Sequence, residues 1–525
     1  MISHYTRIHL KFATFLFIFL PSVILANNIS VDGISLQNRN KSTDQVQVKF
    51  NLSWNNSFRT ASGPQNFDAA WVFVKYKIGI NGTWKHATLN GGGHTIPASQ
   101  EGITMAADQP DSRGLFIIRS GSGATSPLTL QNVLLLWNYG TDGVPDESQI
   151  YVKVFAIEMV NVPAGNFQAG SGGANDGEFR QANLTTGGNA ASFTITSTSP
   201  TLQGNNTASS SLNISTKAGS GNDQLTGTTT ATLATGYPTG HASFFCMKYE
   251  ISQGQYRDFL NTLTRTQQNN RTETDLAAGV TVVTNRYVMS NTSAISNRNG
   301  IRCAATIHTS DPITFYCDLD NNGTYDESTD GEWVTCNFLK WNDVTAFLDW
   351  AALRPMTELE FEKACRGNVA PVVDEHSWGS TAFTSVTAIS NGQQEGEVSN
   401  TTNANIASNN TYTPGPVRTG MFATGSSNRI TAGSSYYGMM DLSGNLWEQV
   451  VSIANSTCRA FTGNVGNGAL DTNGNADTGW PGESFIGRRG GSWLSDLASA
   501  RVSNRSSITG GVTTRNNDYG GRGVR

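Results

Sequence analysis

The sequence predicts an all-β sandwich domain followed by an α+β domain. Between residues 46 and 157, apolar and polar residues alternate in short runs separated by turn residues, which is typical of half-buried strands. After residue 242, apolar residues instead recur at helical spacing behind capping residues. The chain's 525 residues exceed the usual size of one domain. We therefore predict a β-sandwich domain at 27–157 and an α+β domain at 158–525.

The predicted sandwich rests on five runs that carry the strand signal. They are residues 46–54, 71–80, 115–119, 133–137 and 151–157. Turn sequences such as Asn81-Gly82 and Asp142-Gly143 separate them, and helical periodicity is almost absent, which indicates a sandwich. We expect a spacer or docking role for this domain, with carbohydrate binding as the alternative.

The first 26 residues have the pattern of a signal peptide. Arg7 and Lys11 precede an apolar run at 12–20, and Ala26 ends a cleavage site. The run is short for a membrane span, although an uncleaved anchor is the alternative. We expect a secreted, periplasmic or cell-surface protein with no transmembrane helix after signal cleavage.

The composition excludes one class of partner and marks one atypical segment. Only 14% of the residues are charged, the net charge is −5, and no basic stripe is present, so we expect no nucleic-acid binding. Residues 168–235 are rich in Gly, Ser, Thr and Asn. Such a low-complexity segment predicts a flexible insertion that buries little apolar surface, with a short strand at 191–195.

Three helices are predicted in the α+β domain. A middle helix starts near Asn342, and Gly367 is a natural end for the last one. Capping boxes start the other two helices, and their members are Ser252 with Gln255 and Thr357 with Glu360. Short helices on a loop-rich mixed sheet are the expected arrangement.

The cysteines leave two alternatives open, up to three disulfides or buried free thiols. A disulfide staple, that is, one disulfide bond, is expected among Cys303, Cys317 and Cys336, which lie closest in sequence. No zinc, phosphate-loop or Ser-nucleophile motif accompanies them, and we predict no catalytic residue. The six cysteines are Cys246, Cys303, Cys317, Cys336, Cys365 and Cys458.

A candidate calcium loop lies between the first two predicted helices. Its expected oxygen ligands around a turn glycine are Asp318, Asp320, Asn322 and Asp326. Thr329 stands where such loops carry a bidentate acid, and Glu327 or Asp330 could substitute for it. The alternative is an acidic surface turn.

Residues 437–451 place a tight turn before a short strand. Asp441 leads into Ser443-Gly444-Asn445, and a strand with Trp447 and Glu448 follows. A carboxylate beside a large ring needs a partner, and Ca²⁺ held by Asp441 and Glu448 is one solution. A solvated turn followed by an ordinary core strand is the alternative.

Residues 439–449 resemble the Gly-Leu-Tyr-Asp-Met-x-Gly-Asn-Val-Trp-Glu-Trp signature of the formylglycine-generating enzyme (sulfatase-modifying factor) family. Further segments resemble that family in the same order, and they lie at 158–167, 249–259, 353–367 and 489–493. The resemblance implies a C-type-lectin-like fold for 158–525. It also implies two structural calcium sites, with ligands at Asp441, Gly444, Leu446 and Glu448 and at Asn405 and Ile406.

The same resemblance implies that the family's oxidase chemistry is missing. Active members hold copper with two cysteines shortly after a Gly-Gly-Ser-Trp-like motif. Here Ser495 takes the place of the first, Ala500 lies near the second, and no cysteine follows Cys458. Because Cu(I) prefers thiolates, we expect no copper and a non-catalytic binding or cell-surface protein. An oxidase-like enzyme with an altered site is the alternative.

The C-terminal segment from Ser492 to Arg525 resembles the variable region of proteins diversified by retroelements, which use the same fold as a frame. We therefore expect a recognition face for an unknown protein or glycan ligand, with an ordinary family C-terminus as the alternative. Its candidate residues are Leu494, Asp496, Ser506, Ser507, Thr509, Asn516, Asn517 and Tyr519.

Overall fold

The structure is a computed structural model of the chain. It describes residues 28–96, 103–107, 112–121, 123–173, 177–181, 191–204, 211–214, 225, 229–412 and 414–525. The signal peptide predicted at 1–26 lies outside these residues. Within them, no helix is both long enough and apolar enough to cross a bilayer.

Most of the described secondary structure is β-strand. The strands are β1 Ser30–Asn40, β2 Gln45–Arg59, β3 Asp68–Ile78, β4 Lys85–His86, β5 Ile103–Ala107, β6 Leu115–Arg119, β7 Gly123–Trp137, β8 Ile150–Val162, β9 Phe167–Ala169, β10 Arg180–Gln181, β11 Phe193–Ile195, β12 Thr201–Gln203, β13 Ser211–Asn213, β14 Thr230–Ala231, β15 Phe244–Met247, β16 Ile301–Cys303, β17 Phe315–Cys317, β18 Arg354–Pro355, β19 Ile389–Ser390, β20 Val398–Ser399, β21 Trp447–Val450, β22 Gly487–Arg489, β23 Tyr519–Gly520 and β24 Gly523–Val524. The helices are α1 Gln253–Leu260, α2 Arg265–Arg271, α3 Trp341–Trp350, α4 Glu358–Arg366 and α5 Ser456–Arg459.

The largest described sheet joins the two halves of the chain. Its strand order is β18-β24-β15-β8-β3-β6-β5, and β4 also pairs with β3. Strand β8 pairs with β3 from Ile150 to Val160 and with β15 from Met159 to Val162. The boundary predicted after residue 157 therefore falls inside one strand, because the apolar sequence of β8 continues past that point.

A smaller sheet, with the order β1-β2-β7, packs on one face of the large sheet. Phe50 of β2 shares a buried cluster there with Val72 and Val74 of β3. The alternate residues Ala69, Trp71 and Phe73 of β3 face α1 and α3 on the opposite side. Both faces of β3 are covered, which explains why its sequence is almost continuously apolar.

The five strands predicted from alternation are all present, as β2, β3, β6, β7 and β8. The same pattern does not predict β1. This strand pairs with β2, and most of its side chains are exposed. It therefore carries no apolar period for sequence analysis to find.

The predicted helices are confirmed together with their caps. Both capping boxes form at α1 and α4, α3 begins at Trp341, and Gly367 ends α4 with a φ of 76°. Helix α2 was not predicted because its sequence has no apolar stripe. Its buried Arg265, Gln268 and Arg271 donate hydrogen bonds to backbone carbonyls instead of packing in a hydrophobic core.

The prediction that residues 168–235 bury little apolar surface is wrong for the described part of that segment. Strands β10, β12, β13 and β14 form one small sheet, and β11 confirms the predicted short strand. Leu202, Leu212 and Ile214 are buried in a cluster that also contains Trp341 of α3. A few well-placed apolar residues make this contact, and the average composition of the segment hides them.

All six cysteines are buried free thiols, so the expected staple is wrong and the alternative is confirmed. Cys303 in β16 pairs in register with Phe315, whereas Cys317 in β17 pairs with Ile301, so the two thiols are not opposite each other. Burial raises the pKa of Cys303 to about 11. Such thiols are poor nucleophiles at neutral pH.

Candidate functional site

The turn before β21 has the tight backbone that its sequence predicts. Asp441 and Asn445 both adopt left-handed φ values, of 60° and 62°. Gly444 lies between them, and a Cβ on it would come within 2.5 Å of the carbonyl oxygen of Ala407 and 2.6 Å of Ile406 Cγ1. Only glycine fits there, so this tight turn fixes the positions of Asp441 before it and Glu448 after it.

A cluster of three buried acids surrounds this turn, and we call Glu250, Asp441 and Glu448 the carboxylate cluster. Glu448 Oε1 accepts a hydrogen bond from Arg522 Nε at 2.5 Å. Glu250 Oε2 accepts one from Asn445 Nδ2 at 2.6 Å. Asp441 Oδ2 accepts one from the backbone of Gly420 at 2.6 Å. The cluster is therefore held mainly by protein donors.

Electrostatics within the carboxylate cluster oppose full ionisation. Burial raises the pKa of each acid. The pKa of Glu250 rises further because Glu448 and Asp441 are close, while the Arg522 guanidinium acts in the opposite direction. Three acids facing one principal cation leave the site short of positive charge.

The predicted calcium ligands at this turn fit a cation in part. Among the described residues, Glu448 Oε2 is a buried oxygen without a hydrogen-bond partner, which is the type of atom a cation would satisfy. Oε1 is already engaged by Arg522, and the backbone N–H of Leu446 donates to Glu250 Oε1 at 3.0 Å. A bound Ca²⁺ at Asp441, Gly444, Leu446 and Glu448 therefore stays a prediction.

Sequence reasoning missed Glu250. It follows Tyr249 in the segment at 249–259 that resembles the family, where the helical pattern of the following residues is the stronger signal. The signal was an acidic residue shortly after the apolar strand β15, which ends at Met247. Since a buried acid requires partners, its position between β15 and α1 was the available clue.

The second implied calcium site is less complete. Asn405 Oδ1 accepts a hydrogen bond from the backbone of Thr384 at 2.8 Å. The carbonyl of Ile406 accepts one from Val386 at 2.9 Å. Both candidate oxygens thus have protein donors, and a cation at Asn405 and Ile406 also stays a prediction.

The acidic loop at 318–330 brings together a different set from the one its motif indicates. Carboxylate oxygens of Asp318, Asp320 and Asp330 lie within 4.8 Å of one another. Asp326 instead accepts a hydrogen bond from Arg257 at 2.6 Å and lies with Cys317 and Glu332.

Asn322, the remaining motif ligand of this loop, is hydrogen-bonded within the loop. Its Oδ1 accepts a hydrogen bond from the backbone of Thr324 at 2.7 Å. The chain turns at Asn321, Gly323 and Asp326, all with positive φ. Because of these turns, the carboxylate of Asp330, and not that of Asp326, lies close to those of Asp318 and Asp320.

The two positions that correspond to the family's copper cysteines lie side by side. A Cβ on Gly491 would be 2.8 Å from Ser495 Oγ and 3.1 Å from the Cα of Ala500. Ser495 Oγ accepts a hydrogen bond from the backbone of Ser492 at 2.6 Å, and Ala500 is buried. The hydroxyl and the methyl group are not the soft donors that Cu(I) prefers, and the absence of copper stays a prediction.

The candidate recognition residues are all accessible to some degree. Leu494 and Asp496 are exposed, and the others are half-buried: Ser506, Ser507, Thr509, Asn516, Asn517 and Tyr519. Trp493, only 3% exposed, anchors the segment, and its Nε1 donates to the carbonyl of Asn517 at 3.2 Å.

Two contacts tie the later part of this segment together. The Arg488 guanidinium lies over the Tyr519 ring at 4.4 Å, and its backbone N–H donates to the carbonyl of Ser507 at 2.9 Å. Two arginines of this segment form ion pairs with acids elsewhere in the chain. Arg505 pairs with Glu358 and Arg501 with Asp374.

The described chain is a β-rich frame with a few short capped helices, and it carries the carboxylate cluster at the turn before β21. Residues 213–525 match the sequence profile of the sulfatase-modifying factor enzyme 1-like domain, which is more than half of the chain. The chain therefore belongs to the formylglycine-generating enzyme (sulfatase-modifying factor) family. The match begins later than residue 158, where the resemblance starts. A search of curated proteins found no match.

Proposed function

We propose that this protein is an exported, non-catalytic binding protein that uses the formylglycine-generating enzyme frame without its chemistry. The observation that carries this proposal is the pair Ser495 and Ala500 beside Gly491. Side chains that cannot hold Cu(I) occupy the place where two thiolates are needed. The chain's own cysteines are buried in the core and give no substitute.

The proposal extends to the finer architecture. The frame is C-type-lectin-like, and residues 27–157 form a β-sandwich that acts as a spacer or docking module. The two sheets packed through the cluster of Phe50, Val72 and Val74 support the sandwich. The shared strand β8 supports a spacer that is rigidly attached to the frame.

Copper binding provides the sharpest test. The full chain is titrated with Cu(I) against a chromophoric Cu(I) chelator, and its oxygen consumption with a cysteine-containing peptide is followed. We expect neither competition for copper nor thiol oxidation. The matched control is the double variant Ser495→Cys, Ala500→Cys, which should gain copper binding because the two positions are adjacent. Thiol oxidation by the unmodified chain would instead support the oxidase-like alternative.

The binding face is proposed at the C-terminal segment and takes a protein or glycan ligand. The exposure of Leu494 and Asp496 over the buried anchor Trp493 supports it, since recognition residues belong on a stable scaffold. We also propose that this face is diversified by a retroelement. A reverse-transcriptase gene near this gene, with an imperfect copy of its last hundred or so bases, is the expected observation. An isolated gene without such a copy would contradict diversification and leave binding standing.

A further inference from the structure

The loop from Asp318 to Asp330 contains a second, independent concentration of buried acid. It follows strand β17 and precedes helix α3, away from the carboxylate cluster in sequence. Carboxylate oxygens of Asp318, Asp320 and Asp330 lie within 4.8 Å of one another. Three carboxylates at this separation repel one another unless a cation lies among them.

Two of these acids have oxygens that the protein itself does not satisfy. Asp318 and Asp330 are both 0% exposed. Within the described part of the chain, Oδ1 of each has no hydrogen-bond partner. An unpaired buried carboxylate oxygen is strongly unfavourable, and both acids belong to the set whose carboxylate oxygens lie within 4.8 Å of one another. Together these observations point to a ligand with positive charge.

The remaining oxygens show how the loop is fixed around that site. Asp330 Oδ2 accepts a hydrogen bond from the backbone of Glu327 at 2.8 Å, and Asp320 Oδ2 accepts one from Thr329 Oγ1 at 2.6 Å. Arg302 donates to Asp318 Oδ2. The Arg302 guanidinium provides one positive charge against three carboxylates, so the charge balance favours a divalent ion.

We propose that this loop binds a hard divalent cation, Ca²⁺, through Asp318, Asp320 and Asp330. All three donors are carboxylate oxygens, which suit Ca²⁺ or Mg²⁺ and not a soft metal. Ca²⁺ is the better fit because it tolerates the irregular geometry of a loop, whereas Mg²⁺ demands a near-octahedral site. The ligand set departs from the sequence motif, since Asp330 takes part and Asp326 does not.

The bound ion has a structural consequence beyond the loop. Glu327 and Ser328 of the same loop line a cavity of 580 Å³, together with Arg257 of α1 and Ile29 and Val31 near the N-terminus of the described chain. Ion binding would hold this wall of the cavity in one position. The site thus couples the loop to the junction between the N-terminal strands and helix α1.

Calorimetric titration of the chelator-treated full chain with Ca²⁺ alone, and separately with Mg²⁺ alone, tests the site. Asp330→Asn is the diagnostic variant and Asp326→Asn the matched control, because both remove one loop carboxylate. We expect Asp330→Asn to weaken Ca²⁺ binding by about tenfold or more and Asp326→Asn to leave it within about threefold. The reverse result would overturn the structural ligand set in favour of the motif. Tighter binding of Mg²⁺ than Ca²⁺ would overturn the choice of ion.

Stability measurements separate ion binding from a merely structural role. Without metal, Asp330→Asn should melt at a higher temperature than the unmodified chain, because it removes an uncompensated buried charge. With Ca²⁺, it should lose the stabilisation that the unmodified chain gains. Asp320→Asn, at a half-buried position, repeats the test if Asp330→Asn does not fold. Glu448→Gln is titrated in parallel, so that a signal from the carboxylate cluster is recognised. Ca²⁺ binding that is unchanged in both Asp330→Asn and Asp320→Asn would refute the loop site.

Discussion

Residues 489–517 contain two regions that differ in how their polar groups are used. In the buried region, Arg489 and Arg505 converge on Glu358, which also accepts a hydrogen bond from the backbone of Ile453 at 2.8 Å. In the accessible region, Leu494 and Asp496 follow the buried Trp493 in sequence and are exposed, and Asp496 Oδ1 accepts a local hydrogen bond from the backbone of Ser499 at 2.8 Å. A few residues apart in sequence, the first set forms buried ion pairs with the frame, and the second is exposed at the surface.

The largest effect is expected from Glu358→Gln, which tests whether the buried network holds the frame. The substitution keeps the shape but leaves Arg489 and Arg505 buried without a full counter-charge. Removing one partner of a buried ion pair costs about 3–5 kcal/mol of unfolding free energy. Denaturant unfolding measures the cost. Asp374→Asn is the control, since its pair with Arg501 is about one-third exposed and should lose less than about 1 kcal/mol.

A similar loss is expected for Trp493→Ala, at the border between the two regions. The indole is 3% exposed and hydrogen-bonded to Asn517, so truncation removes a buried ring and leaves a cavity. The expected cost is about 3–5 kcal/mol, and Trp493→Phe should recover much of it. Equal stability of Trp493→Ala and the unmodified chain would contradict the role of Trp493 as an anchor.

A smaller effect is expected from calcium at the carboxylate cluster. If Asp441 and Glu448 bind a structural Ca²⁺, saturation at about a hundred times the dissociation constant stabilises the fold by about 2.7 kcal/mol. Glu448→Gln should remove that increment in a melting experiment, while Asp330→Asn should keep it. Chelation that leaves the melting temperature of Asp330→Asn unchanged would exclude a metal at this cluster.

A pH dependence is expected where the N-terminal strands meet the frame. Glu158 in β8 lies 3.0 Å from Lys248 Nζ, and burial raises its pKa to about 7, with Asp68 adding to the rise. Because the folded state holds this proton more tightly than the unfolded state, stability from this group is present below about pH 4.5 and falls as the pH rises to about 7. Glu158→Gln should flatten this decline, which is about 1–3 kcal/mol, in unfolding curves measured across that range. A decline that persists unchanged in the variant would assign it to other groups.

The sequence predicted the fold where local patterns and tertiary packing agree. Alternation in β2 and the capping boxes of α1 and α4 were sufficient because each pattern has one structural reading. Helix α2 could not be predicted in this way, because its buried Arg265 and Gln268 donate hydrogen bonds to carbonyls that only the tertiary structure brings near. Strand β8 ran past the predicted boundary because its pairing partners come from both halves of the chain, which no local window shows.

The candidate sites were predictable to a lesser degree, and for a physical reason. Spacing indicated an acidic loop, but the choice between Asp326 and Asp330 depended on backbone turns at Asn321 and Gly323. Glu250 joins the carboxylate cluster from the connection between β15 and α1, which is distant in sequence from Asp441 and Glu448. Contacts between side chains that are distant in sequence cannot be predicted from the spacing of a motif.

The smallest effect is expected from changing the accessible region alone. The triple variant Asp496→Asn, Ser507→Asn, Asn517→Ser keeps the turn acceptor for Ser499, which Asp496 Oδ1 provides at 2.8 Å. It leaves Trp493 and Arg505 unchanged, and Trp493 still donates to the backbone carbonyl of residue 517. Surface substitutions usually change stability by less than about 0.5 kcal/mol each, so the unfolding free energy should stay within about 1 kcal/mol of the unmodified chain. The same immobilised panel of glycans and exported proteins is then probed with both proteins. A changed binding pattern at unchanged stability is the expected result, because the frame is held by the buried network. Unchanged binding would place recognition elsewhere, and a large loss of stability would show that these side chains belong to the frame.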